Sequence, residues 1–230
     1  MRRKGILLIG ILLVVFIIAD GFLPGLVSRY AVQSLKELTN SDNVTVEVHK
    51  TPAVLMLTGQ FDQVTVDAEQ AKIDKITLSS MQAVLKDVQL DMNALLTQKK
   101  FVLKSVRDLT VTGTVPQAEL ARFLDANVKG SHNAEVLITP DKVTVSTNLS
   151  LGAIAKVVVT LEGKIVSDGQ KLKFVTDRFL LNHVLVGNIG GTMLTEIPLL
   201  DLKKLPFGTT IQDIVLENGQ IVIIAGNHAQ

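Results

Sequence analysis

The chain has 230 residues and a nearly even charge balance, 23 Lys and Arg against 22 Asp and Glu, for a formal net charge of +1. It therefore lacks the concentrated basic face that releases counterions from phosphates, which sets nucleic-acid binding aside. Hydrophobic residues make up 47% of it but aromatics only 4%, with no Trp, one Tyr and no Cys, which excludes disulfides, thiolate metal sites, cysteine nucleophiles and a lipidated N-terminal Cys, and leaves almost no stacking platforms for sugars or single strands.

Met1-Arg2-Arg3-Lys4 is a positive head, and the run from Gly5 to Ala19 that follows carries no charge. A basic head before an apolar run is the pattern of a signal peptide or signal anchor. As a helix the run spans about 22 Å at about 1.5 Å per residue, short of the about 30 Å hydrocarbon core. Extension to Leu23 would reach across, with Asp20 near the outer interface. Ala19-Asp20-Gly21 supplies small residues where a signal peptidase would cut, so cleavage and anchoring both stay open. Residues 1–24 are assigned to this segment and residues 25–230 to a single β-rich domain. The positive-inside rule places that domain outside the cytoplasm, on the membrane or secreted if the N-terminus is cleaved.

Leu26–Leu38 is expected to be an amphipathic helix, with Val27, Ala31, Leu35 and Leu38 on its apolar side. From Val44 the period changes from 3.6 to 2. Val44, Val46 and Val48 alternate with polar residues, and Val143, Val145, Thr147, Leu149 and Leu151 do so along Lys142–Leu151. Such alternation marks an antiparallel strand with one wet face. Similar stretches cover Phe61–Ala68, Ile73–Leu78, Gln82–Met92, Phe101–Val115, Val157–Val166, Leu172–Phe179, Ile211–Leu216 and Ile221–Ala225. Asp168-Gly169 and Asn218-Gly219 predict two-residue hairpins with positive φ at both positions, and Thr139-Pro140-Asp141 a turn. One helix interrupts the strands, opening at Pro116 with Glu119 in its first turn and a stripe of Leu120, Phe123 and Leu124. Gly187–Leu205 reads as a loop with a helical turn or two. The fold class is α+β, a long antiparallel sheet with two or three helices after an N-terminal apolar helix.

No catalytic constellation emerges. His49, His132, His183 and His228 are scattered singly, without metal-ligand spacing. There is no Gly-x-Ser-x-Gly elbow, and Gly187–Gly191 lacks both the dinucleotide and the P-loop pattern. Asp87 and Asp91 fall on one strand face about 13 Å apart, too far for a carboxylate dyad. Asn43-Val-Thr45 and Asn148-Leu-Ser150 match the glycosylation acceptor pattern. The chain is therefore read as a non-enzyme without cofactor or metal.

Several segments are apolar on both faces: Ala53–Leu57, Val157–Val159, Phe179–Leu181 and Ile221–Ile224. A strand apolar on both sides needs two apolar neighbours. Those neighbours are two sheets covering each other, or an apolar ligand in an aliphatic groove. Alternation alone gives Leu55, Leu57, Val157, Val159, Phe179 and Leu181 as groove-facing candidates.

The stretch Leu205-Pro206-Phe207-Gly208, Ile211–Leu216, Glu217-Asn218-Gly219 and Ile221–Gly226 resembles the C-terminal signature of the LmeA-like family of bacterial extracytoplasmic proteins. Pro52–Gly59 followed by Phe61–Val66 is similar to that family's early strand pair. Thr114-Val115-Pro116, leading into Leu120–Leu124, is similar to its middle. The resemblance spans residues 25 to 226. It implies a phospholipid-binding module of the cell envelope, with a long curved sheet wrapping a helix, similar to tubular lipid-binding folds. It brings no catalytic residues. The lipoglycan role of the mycobacterial members belongs to those organisms and is not carried over. The expected partners are phospholipid and the membrane, through the N-terminal segment. The other reading is a non-catalytic scaffolding domain of the envelope that binds a protein partner along a sheet edge.

Overall fold

Strands dominate the structure, as a chain rich in Val, Ile and Leu and poor in aromatics favours. The computed structural model describes the backbone of residues 2–151, 155–182, 184–187, 196–202 and 207–227, and of these the side chains of all but residues 2–19, 149–151, 155–156 and 186–187. The chain divides into two compact units, one of residues 1–69 and 82–110, the other of residues 70–81 and 111–230.

Unit 1 opens with α1 (Arg2–Thr39), which carries the apolar run and the expected amphipathic helix in one continuous helix, with Pro24 inside it. Asn40, at φ +49, ends the helix; a short polar side chain tolerates this left-handed position. Val27 and Ala31 are buried as expected, but Leu38 is 67% exposed and Ser34 is buried in its place. The buried side runs from Val27 through Ala31 and Ser34 to Thr39, bypassing Leu38. Among the described residues no helix is long and apolar enough to cross a membrane; the side chains of the uncharged run Gly5–Ala19 lie outside them.

Strand β1 (Asn43–His49) alternates as predicted, with Val44, Val46 and Val48 inside. It pairs antiparallel with β2 (Gln60–Ile73), from Asn43↔Glu69 to His49↔Gln63. Between them Ala53–Thr58 forms a 3-10 turn, not the two-faced strand that its apolar run suggests. A three-residue period turns Ala53 and Met56 inward together and leaves Leu55 and Leu57 outside. Strand β3 (Ile76–Leu90) is followed by an unexpected short helix, α2 (Met92–Gln98). Asp91, expected to share a strand face with Asp87, ends the strand and caps this helix, its Oδ1 accepting the Ala94 N–H at 3.0 Å. That bond and Lys104 hold its carboxyl below the usual range.

Strands β2, β3 and β4 (Leu103–Pro116) have residues in both units. The segment Ile73–Leu78, expected as one strand, is the β2–β3 hairpin, turning at Asp74-Lys75 with Asp74 at φ +54. Gln70 and Asp87 also take positive φ. At each of these positions two consecutive residues are exposed before alternation resumes, the mark of a bulge that a strict period of 2 cannot foresee.

In unit 2, Pro116 stands just before α3 (Gln117–Asn127) as its N-cap. The predicted stripe of Leu120, Phe123 and Leu124 is buried. A meander follows: β5 (Ser131–Ile138), β6 (Val143–Leu151), β7 (Ala155–Ser167) and β8 (Lys171–Leu181), each antiparallel to the next. Neither β5 nor its bulge at Asn133 was expected; the polar pair His132-Asn133 breaks the alternation there. The far edge of β8 carries β9 (Val184–Gly187) and β10 (Glu196–Asp201) at its two ends. Strand β10 lies in the stretch expected as a loop, most of whose remainder is outside the described residues. Pro198 fits because β10 is an edge strand. Last comes the hairpin of β11 (Thr210–Glu217) and β12 (Gln220–Gly226). Its turn is the predicted Asn218-Gly219, although only Gly219 has positive φ, as is true of Gly169 in the wider β7–β8 turn.

The sheets are antiparallel, six-stranded and open, with orders β1-β2-β3-β4-β12-β11 and β10-β8-β7-β6-β5, β9 pairing β8 off that path. In unit 2 their inner faces share one core: Ile76, Leu78, Val115, Ile221 and Ile223 from the first, Val136, Val145, Val159, Leu161, Phe174 and others from the second, with the α3 stripe among them. Backbone bonds tie this arrangement. The Gly219 N–H donates to the Ile138 carbonyl at 3.0 Å and the Gln117 N–H donates to the Gly219 carbonyl at 2.9 Å, so one turn holds both α3 and β5. Glu119, buried in the first turn of α3, accepts the Thr77 N–H at 3.0 Å and lies 2.8 Å from Arg122.

Two predictions follow from unit 2. At the β7–β8 bulge, a Cβ on Gly163 would sit 2.0 Å from the Val175 carbonyl, whereas one on Gly113 would meet only the movable end of Leu78 at 2.9 Å. Gly163→Ala should therefore cost at least about 1–3 kcal/mol in a urea melt, and Gly113→Ala clearly less. Glu162 is held below its ordinary range, first by the hydrogen bond from Lys142, then by the charges of Lys142 and Arg178. A depressed carboxyl contributes stability above its unfolded pKa and loses it as pH falls through the folded one. The melting-temperature gap between the native chain and Glu162→Gln should thus be widest near neutral pH and close as the acid range is entered.

Candidate functional site

The six groove candidates separate into two groups. Leu55 and Leu57 lie on the 3-10 turn of unit 1, 36% and 54% exposed. The other four come together in unit 2. Val159 pairs with Leu181 and Leu161 with Phe179 across the β7–β8 ladder, and Val157 stands two residues before Val159. Side chains two apart on a strand share a face, as do directly paired ones. Val157, Val159, Phe179 and Leu181 therefore occupy one face at one end of the sheet.

Burial grades along this face. Val159 belongs to the core, Phe179 and Leu181 pack half-buried against it, and Val157 is half-buried too. Beyond them Val184 of β9, paired with Leu181, is exposed. The interior of unit 2 thus reaches the surface as a run of aliphatic groups and one phenyl ring, with no charged side chain among these residues. Such a surface suits acyl chains and offers nothing for covalent chemistry.

The same core surfaces again at the other end of β8, where the sequence pointed to no site. Phe123 of α3 and Val128 just past its end face Ile197, Leu199 and Leu200 of β10 across a cleft of about 290 Å³, with Asp74, Lys75, Lys171 and Asp201 also lining it. That volume stands at the lower bound of the about 300–1,000 Å³ typical of small-molecule sites. The apolar run Ile197–Leu200 was the available signal, hidden by Pro198 and the neighbouring glycines that made the stretch read as a loop. The two openings lie eight or more residues apart on β8, some 26 Å at about 3.3 Å per residue, so one small contact cannot serve both.

Titratable groups are dispersed. His49 is exposed on β1 and His132 on β5; His183 and His228 lie outside the described residues. Among the described residues no group of three His, Cys, Asp or Glu is placed to hold a metal ion. Asp87 is ion-paired with Arg107 at 2.6 Å. Glu119, the buried carboxylate, has its partners in Thr77 and Arg122 and ties the β2–β3 hairpin to α3.

A model of the family described as LmeA-like phospholipid-binding matches residues 18–226. No curated protein and no solved structure gives a significant match.

Proposed function

The chain belongs to the LmeA-like phospholipid-binding family, and from that premise we propose that it holds phospholipid by laying acyl chain on the face formed by Val157, Val159, Phe179 and Leu181. In this reading the chain works on the outer face of the bacterial cell membrane as a part of the envelope. The basic head and uncharged run of α1 tether it there, or it is secreted where that segment is removed. It binds and does not catalyse.

One observation carries the assignment: the hydrophobic core of unit 2 emerges half-covered at Phe179 and Leu181. Half-covered apolar surface is the part of a core that a ligand can finish covering. Among the described residues this face carries no charge, which favours hydrocarbon over a headgroup, because an unpaired buried charge there would be costly. A second reading places the lipid in the cleft between α3 and β10. The observation favouring it is the lining, where Lys75 and Lys171 could meet a phosphate beside apolar side chains. Its small volume makes it the weaker host for a two-chain lipid.

Phospholipid retained by the full chain, extracted and weighed by mass spectrometry, discriminates the two. Burying one large aliphatic side chain is worth about 1.5–3 kcal/mol, and each 1.4 kcal/mol is about tenfold in affinity. Phe179→Asp with Leu181→Asp should lower retention at least about tenfold while the thermal transition persists. Ile197→Asp should leave it near the native level. The reverse pattern would move the site to the cleft, and undiminished retention in both would remove it from unit 2.

A further inference from the structure

Large exposed apolar side chains occur in unit 1 at the place where α1 leaves its uncharged run. Phe22 is 65% exposed, and Leu55 and Leu57 stand out from the 3-10 turn. The turn is fastened at this level of the helix, since the Ala53 N–H donates to Asp20 Oδ1 at 2.7 Å. Phe22, two residues past Asp20, points to the other side of the helix, at about 100° per residue. The apolar groups therefore flank α1 on opposite sides at one height.

We propose that Leu55, Leu57 and Phe22 insert into the surface of the phospholipid bilayer that holds the uncharged run, seating unit 1 against the leaflet from which α1 emerges. This rests on the membrane-tether reading above. The occupant follows from length. The run to Ala19 covers about 22 Å of an about 30 Å core. The missing 8 Å is about five further residues, which draws the helix in as far as Pro24. Sequence permits it, because after Asp20 no charge appears until Arg29. Asp20 is the one group that would resist, and it enters with a hydrogen-bond partner from the turn, which lowers the cost of a polar group near hydrocarbon. Whatever is fastened at that height is immersed with it.

The turn is built for this position. Pro52–Gly59 contains no charged residue. Ala53 and Met56 anchor it from inside. The Gly59 carbonyl accepts the Leu90 N–H at 2.8 Å, Gln89 Nε2 donates to the Thr58 carbonyl at 2.9 Å, and Thr58 Oγ1 donates to the Leu55 carbonyl at 2.7 Å. Gly59 itself has φ +84, and a Cβ there would lie 2.3 Å from the Leu90 carbonyl. The leucines are thus presented from a fixed backbone and lose little further freedom on insertion. Apolar groups displayed this way sink about 5–10 Å into the headgroup and acyl boundary.

The chain has no Trp, so single tryptophans report depth without background. The full chain would carry Leu57→Trp, Phe22→Trp, Leu12→Trp or Leu38→Trp, one at a time. Each variant is reconstituted in phosphatidylcholine–phosphatidylglycerol vesicles with and without brominated acyl chains. Leu38 is exposed on the same helix, about 27 Å beyond Asp20 at about 1.5 Å per residue. Expected is loss of most fluorescence to bromine, with a blue shift, at positions 57, 22 and 12, and none at 38. Quenching at 57 and 22 without quenching at 12 would uphold the docking surface and remove the tether. Quenching at 12 alone would keep the tether and overturn the docking surface. Equal quenching at 38 and 57 would also overturn it, since the helix would then lie flat.

Discussion

In unit 2, α3 is the one α-helix among the described residues, and it must cover apolar faces of both sheets. Leu120, Phe123 and Leu124 form one stripe on eleven residues of helix, yet the core around them draws on strands from β3 to β12. The turn at Gly219 holds this arrangement by bonding at once to Ile138 and to Gln117. A helix of this length reaches only part of the surface offered to it. At the end of β8 carrying Phe179 and Leu181, and again at the α3–β10 cleft, the core comes to the surface half-covered. The half-covered face is in this sense a consequence of a short helix between long strands.

Unit 1 meets the same surplus differently. Its helix is long, and the buried stripe of Val27 and Ala31 packs α1 against β1 and the 3-10 turn. What remains uncovered includes the apolar projections at Phe22, Leu55 and Leu57, besides Leu38, Leu96 and Val102. Two of the six residues that alternation marked as lipid-facing fall here, on a rigid turn rather than on a strand. In the reading offered above, both units complete their apolar surfaces with lipid: one with an acyl chain, the other with the membrane boundary.

Much of this was legible in the sequence because period-2 alternation and turn chemistry are local. The valines of β1 and β6, the Asn218-Gly219 hairpin and the α3 stripe each follow from residues a few positions apart. The family resemblance rested on the order of such segments and is matched by the family model over residues 18–226. What failed depends on partners remote in sequence. Ala53–Thr58 is as apolar as a buried strand, but its fastening to Asp20 and Leu90 selects a 3-10 turn. Ile73–Leu78 hides a hairpin because Asp74-Lys75 lacks the usual glycine. The bulges at Gln70, Asp87 and Asn133 showed only as adjacent polar pairs. Strand β10 was masked by a proline that an edge position accommodates. Of the six groove candidates, four share one sheet face at the β7–β8 ladder, while the cleft at β10 left no signal once its strand was missed.

The account stands on phospholipid being held by the chain itself and not merely surrounding its tether. Native mass spectrometry of the full chain, washed into a detergent free of phospholipid, tests this directly. The account predicts a defined species carrying a single phospholipid that survives the wash and reforms after lipid extraction and re-addition. A chain that sheds all phospholipid on washing and takes up none afterwards would contradict it.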